Sequence, residues 1–131
     1  MADPVSSLLD SMERQDPDGL RAPYAPDAHL LASVPERFYD LRGPEAIGNR
    51  LIQWDASWEG DPAHAFIEIS REGDRTVVEL ERTSTHKGAA WVVHQVHAFE
   101  FGEDGIREHR MYCTGPRAGD PLLAPSRAVA R

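Results

Sequence analysis

Cysteine is nearly absent from this sequence, which holds a single one, Cys113, in 131 residues. One cysteine cannot form a disulfide within the chain, so nothing in the sequence requires an oxidising compartment. No basic segment followed by an apolar one stands after Met1, and no apolar run approaches the roughly 18 residues of a membrane-spanning helix. We therefore expect no membrane partner and a cytoplasmic location.

Positive charge is also scarce, because 14 Lys and Arg residues face 22 Asp and Glu residues, for a formal net charge of -8. An acidic surface repels a phosphate backbone, so nucleic acid is excluded as a partner. The sequence has no glycine-rich phosphate loop and no nucleophile elbow. A metal site needs three or four converging ligands, and none of the histidines forms an HxH or HxxxH pair with a nearby acid. We expect neither metal nor cofactor.

Two apolar stripes with helical spacing precede a change of period. The first comprises Val5, Leu8, Leu9 and Met12, and the second comprises Ile47, Leu51, Trp54 and Trp58. Between them, 16–28 reads as a break, a helical turn and a loop, and 29–34 and 37–41 read as strands. Apolar and polar residues then alternate in four further strands, which we place at 64–70, 75–86, 89–101 and 105–114.

Short joins between these four strands predict antiparallel neighbours. Helices followed by such strands indicate an α+β domain in which a curved antiparallel sheet wraps on the N-terminal helices. A sheet of this kind can form a cone that encloses a pocket for a small molecule. We predict one cone-shaped domain over residues 1–115 and an irregular C-terminal tail over 116–131.

The alternation also predicts which side chains face the inside of the cone. The inward set on the last three strands comprises Val78, Leu80, Arg82, His86, Trp91, Val93, Gln95, His97, Phe99, Phe101, Arg107, His109, Met111 and Cys113. Apolar residues also occupy the opposite face, at Val92, Val96, Ala98 and Tyr112. A second copy of the chain covering them would explain this pattern, so we expect a homodimer through the outer sheet face.

Several segments in order resemble the nuclear transport factor 2-like superfamily: DPDGL, YAPDA, RGPEAI, GDRTVVELERTSTHKG and HAFEFGEDGIREHRMY. The SnoaL-like branch, with its polyketide cyclases and ketosteroid isomerase-like enzymes, is the most similar, and the resemblance runs from Val5 to Thr114. It implies a cone of curved sheet with three N-terminal helices, in many relatives a homodimer.

The catalytic positions of these relatives can be carried over one at a time. The tyrosine, aspartate base and second acid of ketosteroid isomerases fall on Leu8, Ala32 and His97. The aspartate that ends the last strand of SnoaL-like cyclases falls on Thr114, whose hydroxyl cannot replace a carboxylate as a base. Scytalone dehydratase-like members use histidines inside the cone, and this pattern resembles the present sequence more.

His97 and His109 are therefore the predicted catalytic residues, because neutral imidazole can give or take a proton near pH 7. The alternative for His97 is a core histidine bonded to a tyrosine or to backbone. The predicted ligand-binding set is Tyr24, Tyr39, Trp54, Trp58, Arg82, Trp91, Phe99, Met111 and Cys113. His64 and His86 are expected at strand ends, where they line the pocket or meet solvent.

These residues predict a cofactor-independent enzyme that performs proton-transfer chemistry on a small hydrophobic metabolite, by isomerisation, dehydration or cyclisation. The alternative is a non-catalytic ligand-binding or dimerisation module. A hydrogen-bonded polar partner of His97 facing an open void would favour the enzyme, and a filled core there would favour the module.

Overall fold

The secondary structure follows the predicted order of helices and strands. The computed structural model describes residues 3–56 and 63–123. Its elements are α1 (Pro4–Arg14), β1 (Tyr24–Val34), β2 (Arg37–Arg42), α2 (Pro44–Ala56), β3 (Ala63–Glu72), β4 (Arg75–His86), β5 (Ala89–Gly102), β6 (Gly105–Cys113) and β7 (Arg117–Ala118).

Helix α1 begins at a residue suited to start it, since the Asp3 carboxylate accepts a hydrogen bond from the Ser6 amide at 2.8 Å. Pro4 at the first turn loses no intrahelical hydrogen bond there. All four residues of its predicted apolar stripe are buried, so the stripe faces the core as expected. Neither helix within the described residues is long and apolar enough to cross a membrane.

The strands form one curved, unclosed sheet in the order β2-β1-β6-β5-β4-β3, with β7 added beside β5. Neighbours from β3 to β6 are antiparallel, as their short joins predicted, and β1 runs parallel to β6. The core lies between this sheet and the two helices. The predicted α+β cone is therefore confirmed.

The segment between α1 and β1 has the predicted break and helical turn but departs from two other expectations. The resemblance implied three helices, whereas the described residues contain two α-helices, with turns at 17–23 in place of a third. Pro23 at the end of this segment cannot continue a helix, so the segment keeps only a few turn hydrogen bonds. Strand β1 also begins at Tyr24, inside the predicted loop, because Tyr24 pairs with Ile106 of β6 across a bulge.

A glycine makes this pairing possible. Gly105 has a φ of 115°, and a Cβ on it would lie 2.4 Å from the Pro23 carbonyl oxygen. A second irregularity lies between Glu100 and Phe101, where the register of β5 and β6 shifts. The shift turns Ile106 into the core, with no exposed surface, although simple alternation placed it outside.

The C-terminal segment 117–123 adds a short strand to the sheet and then reaches the outer face of β4. Its β7 pairs with Trp91 and Val92, so the predicted irregular tail begins with a strand. Beyond it, the backbone amides of Leu122 and Leu123 donate to the Glu81 carboxylate at 2.7 and 3.1 Å. His94 contacts the same carboxylate through Nε2 at 2.7 Å. These contacts bury Glu81 on the outer face of β4.

Replacing Glu81 with glutamine should lower the free energy of unfolding by about 1–2 kcal/mol, because amide donors lose a charged acceptor. It should also make the C-terminal segment more susceptible to proteolysis. Glu79→Gln is the matched control, since Glu79 lies on the same face of β4 and is only half-buried. Chemical denaturation and limited proteolysis measure both effects, and equal behaviour of the two variants would contradict the role given to Glu81.

Candidate functional site

The interior of the cone holds the two histidines that the sequence singled out. His97 on β5 and His109 on β6 both have no exposed surface. Their strands are paired with His97 opposite Met111 and Phe99 opposite His109, which brings the imidazoles together on the inward face. The His97 Nδ1 and His109 Nε2 atoms are 2.7 Å apart. The prediction that both face inward is confirmed.

The two imidazoles belong to a longer series of hydrogen bonds, the interior network of Tyr24, His109, His97 and Gln95. The Tyr24 hydroxyl lies 2.8 Å from His109 Nδ1. At the other end, His97 Nε2 lies 2.7 Å from Gln95 Oε1. The Gln95 amide nitrogen then donates to the sulfur of Cys113 at 3.5 Å.

Chemistry sets the direction of these hydrogen bonds. A neutral imidazole has one N–H donor and one lone pair, and Gln95 Oε1 can only accept. His97 Nε2 therefore carries a hydrogen, which leaves His97 Nδ1 to accept from His109 Nε2. His109 Nδ1 in turn accepts from the Tyr24 hydroxyl. All four ring nitrogens have partners, and every donor points from Tyr24 towards Gln95.

Burial keeps this network neutral, because a charged form would lose the solvation that water gives it. Burial lowers the pKa of His97 to about 3. Burial is the main cause that lowers the pKa of His109 well below 6.5, and the electrostatic effect of His97 lowers it further. Burial likewise raises the pKa of Tyr24 above its usual value. Phe99 adds an apolar face, with its ring centre 4.3 Å from that of His109. At pH 7 the site therefore offers uncharged donors.

A small cavity adjoins the interior network. Its volume is about 20 Å³, and it is lined by Met12, Leu51, Trp54, Leu80, Arg82, Gln95 and Met111. A space of this size holds about one water molecule. Gln95 is the residue that the cavity and the interior network share, so His97 meets the cavity through Gln95. Arg82 is the charged side chain among the described residues that line it.

Five members of the predicted ligand-binding set lie in or beside this site. Trp54, Arg82 and Met111 line the cavity, while Tyr24 and Phe99 contact the buried histidines. Their positions follow from the inward faces of α2 and of strands β1, β4, β5 and β6. The structure therefore brings together residues from five separate elements.

Three other members of the set lie outside the lining of the cavity. Tyr39 packs edge-on against Trp54, with ring centres 5.4 Å apart, and forms a second layer behind the cavity. Trp91 lies half-buried where β5 pairs with β7, and Cys113 lies directly opposite Gln95 on the neighbouring strand. Trp58 is outside the described residues.

Two interior residues were missing from the predicted site. Gln95 was placed on the inward face but given no role. Its position two residues before His97 puts both side chains on the same face of β5, and this spacing was the signal that they could bond. His64 on β3 was expected to line the pocket or meet solvent, and it is buried, with 7% of its surface exposed. Among the described residues, neither of its ring nitrogens has a hydrogen-bond partner.

Comparisons with known proteins place this geometry in a family. The model of the SnoaL-like domain matches residues 5–109. A comparison with curated proteins found no match. A protein with a ketosteroid isomerase-like fold from Catenulispora acidiphila, solved in complex with trimethylamine, is 18% identical, with a TM-score of 0.71 over 88% of each chain.

Two further solved structures share the fold. A proposed polyketide cyclase from Sinorhizobium meliloti is 18% identical, with a TM-score of 0.61 over 85% of this chain and 94% of that one. An LEH-like epoxide hydrolase from M. tuberculosis is 16% identical, with a TM-score of 0.59 over 84% and 79% of the two chains. The resemblance inferred from the sequence is confirmed: the chain belongs to the SnoaL-like domain family and has its nuclear transport factor 2-like fold.

Proposed function

We propose that this protein binds a small, largely apolar molecule inside its cone and catalyses a cofactor-independent proton transfer on it, with His97 as a neutral hydrogen-bond donor. The direction of the interior network carries this proposal. Its donors point from Tyr24 through both histidines to Gln95, the residue that reaches the cavity. A fixed series of neutral donors that ends at a cavity suits an oxygen that gains negative charge during a reaction.

In this proposal the ligand oxygen takes the place of Gln95 Oε1 as the acceptor of His97 Nε2–H. Charge that develops on that oxygen strengthens the hydrogen bond, and His109 and Tyr24 polarise in support. Arg82, which lines the same cavity, adds a positive charge nearby. Isomerisation, dehydration and cyclisation next to a carbonyl all pass through such an oxygen, so the neutral donor fits these reaction classes. In this proposal a water molecule beside the ligand accepts the proton that leaves the carbon.

Binding has to be coupled to opening, because the cavity of about 20 Å³ is far smaller than an ordinary ligand site. Trp54 is half-buried on α2 and is the largest side chain of the lining, so its displacement gains the most space. A bound ligand would then stand between Trp54 and Met111, with its polar end towards Gln95 and Arg82. The predicted hydrophobic pocket is part of this proposal.

A specific observation favours a second candidate, a non-catalytic ligand-binding module. The core around His97 is nearly filled, and every ring nitrogen of His97 and His109 has a partner inside the protein. In that case the interior network would hold β1, β5 and β6 together and perform no chemistry. The two candidates differ in whether a bound carbonyl compound is turned over.

His97→Leu separates the candidates, because leucine has no hydrogen-bond donor. A thermal-shift screen of aromatic and terpenoid ketones supplies the ligand, and turnover is then followed by proton exchange next to the carbonyl. Loss of one charge-stabilising donor should lower kcat/KM by about 100-fold with a smaller effect on affinity. His29→Leu is the control, since His29 bonds Asp40 outside the interior network. Binding without turnover in the unaltered protein would favour the module.

The homodimer predicted from the outer sheet face also belongs to this proposal, as does the cytoplasmic location. Tyr112 of β6 and Ile67 of β3 are 53% and 40% exposed on that face, while the C-terminal segment covers Val92. An exposed apolar patch on a sheet favours a second copy as its cover. Light scattering at micromolar concentration should give the mass of two chains, and Tyr112→Glu should give the mass of one. The mass of one chain for both the unaltered protein and Tyr112→Glu would contradict the predicted homodimer.

A further inference from the structure

Two arginines contact the same aromatic ring at the β2 edge of the sheet. The Arg50 guanidinium carbon lies 4.6 Å from the centre of the Tyr39 ring, and that of Arg37 lies 5.3 Å from it. We call these three residues the arginine cluster. A guanidinium that rests on a ring still has N–H donors along its edge, so both arginines keep donors for a further partner.

The arginine cluster has no acidic partner of its own. Among residues 3–56 and 63–123, neither Arg37 nor Arg50 forms an ion pair with a carboxylate. Four other arginines lie within 3.9 Å of a carboxylate oxygen: Arg14, Arg21, Arg71 and Arg75. Two positive charges beside one ring repel each other, and a bound anion would offset that repulsion.

The sheet register connects the arginine cluster to the interior network. One row of paired residues crosses the inner face from β2 to β5: Tyr39, Ala32, Met111 and His97. Strands β2 and β5 run in the same direction, and Arg37 and Gln95 stand two residues earlier on them, on the same inner face. The arginine cluster therefore lies at the end of the cone where Gln95 meets the cavity.

Trp54 stands between the arginine cluster and the cavity. Its ring contacts Tyr39 edge-on, with centres 5.4 Å apart, and it also lines the cavity. Arg50 precedes Trp54 by one turn of α2, so their side chains are neighbours on one face of the helix. A ligand that displaces Trp54 on its way into the cone would pass both guanidiniums.

We propose that Arg37 and Arg50 bind the carboxylate of a small keto acid, whose ketone lies at Gln95 and whose apolar body takes the place of the Trp54 ring. This inference rests on the proposed function, because it names the substrate class of the same site. A guanidinium donates parallel hydrogen bonds to a carboxylate, which has lone pairs enough for two such groups.

The position of the arginines favours a carboxylate over a phosphate. Phosphates in proteins are typically held by free backbone amides at a helix N-terminus or in a glycine-rich loop. Helix α2 begins at Pro44, so Arg50 lies beyond the first turn, whose amides are free. The sequence also has no glycine-rich phosphate loop. The arginine cluster thus offers side-chain donors, which suit a single carboxylate.

Matched acid and amide ligands test the site, because they differ in charge and hardly in shape. We expect δ-benzoylvalerate to bind about fivefold more tightly than δ-benzoylvaleramide in calorimetry at pH 7, since both arginines are partly solvated. Added salt should weaken binding of the acid and leave the amide unchanged, because it screens exposed charges.

Variants assign this preference to the two arginines. Arg37→Gln and Arg50→Gln should each reduce it, and the double variant should abolish it. Arg42→Gln is the matched control and should keep it, since Arg42 is exposed on the opposite face of β2. Equal affinities for acid and amide in the unaltered protein, or a preference that survives in the double variant, would overturn the inference.

The indole NMR signal of Trp54 separates this inference from the proposed function. If acid and amide bind equally and both shift that signal, the carboxylate site is wrong and ligand binding in the cone stands. If the acid is preferred through Arg37 and Arg50 but shows no proton exchange, the carboxylate site stands and catalysis is wrong. If neither compound shifts the signal, both proposals fail together.

Discussion

Replacing His109 with alanine should lower the free energy of unfolding by about 3–5 kcal/mol, measured by urea denaturation at pH 7. The change leaves two buried groups without partners, the Tyr24 hydroxyl and His97 Nδ1, and each costs about 1–3 kcal/mol. It also leaves a cavity beside Phe99, where the ring now packs at 4.3 Å between centres. A loss of this size is a large part of the total stability of a small domain.

The matched control is His29→Ala, which removes the same ring from a position near the surface. His29 contacts Asp40 at 2.6 Å and Glu108 at 3.5 Å, and both acids are partly exposed. Water can solvate both carboxylates once the His29 ring is removed, so this change should cost less than His109→Ala. Equal losses from His109→Ala and His29→Ala would show that the interior network does not stabilise the fold.

The protein should lose stability steeply in mild acid. The folded pKa values of His97 and His64, about 3 and about 4, lie below the value of 6.5 expected in the unfolded chain. Between these limits the unfolded chain binds more protons, so stability is fully present above pH 6.5 and falls as the pH drops. Each histidine lowers the free energy of unfolding by about 1.4 kcal/mol for every pH unit below 6.5. For the two together the loss is about 5 kcal/mol at pH 4.5.

The burial of His109 acts in the same direction, because its pKa is also lowered. Urea denaturation between pH 7.5 and 4.5 measures how steeply the free energy of unfolding falls with pH. His64→Gln should reduce the slope between pH 6 and 4.5 by about one proton, or about 1.4 kcal/mol per pH unit, since glutamine does not titrate. A urea midpoint that stays constant from pH 7.5 to 4.5 would contradict the claim that these histidines are buried and neutral.

Much of the fold could be predicted because periodicity reports local structure directly. The stripe of α1 and the alternation of β3 to β6 placed elements within a few residues of their observed bounds. The predictions of which side chains are buried fail where contacts between residues distant in sequence determine the local structure. Alternation failed at Ile106 because of a bulge, and Glu81 is buried only because residues distant in sequence cross over it. Neither contact leaves a local signal.

The candidate site could be predicted in part for the same reason. Inward alternation brought His97, His109 and Met111 to one surface, and it gave Gln95 the same facing. It could not show that the imidazole nitrogens would bond each other, because partners depend on the register between strands. It also could not show how far the helices fill the cone, and the observed cavity of about 20 Å³ is much smaller than an ordinary ligand pocket.

The protonation states of His97 and His109 test the central claim most directly, and ¹⁵N NMR of the imidazole rings reports them. At pH 7 both rings should be neutral, with the hydrogen on Nε2 in each, and neither spectrum should change down to about pH 5. That result would establish a series of neutral donors that ends at Gln95. Titration of either ring near pH 6.5, or a hydrogen on His97 Nδ1, would contradict it.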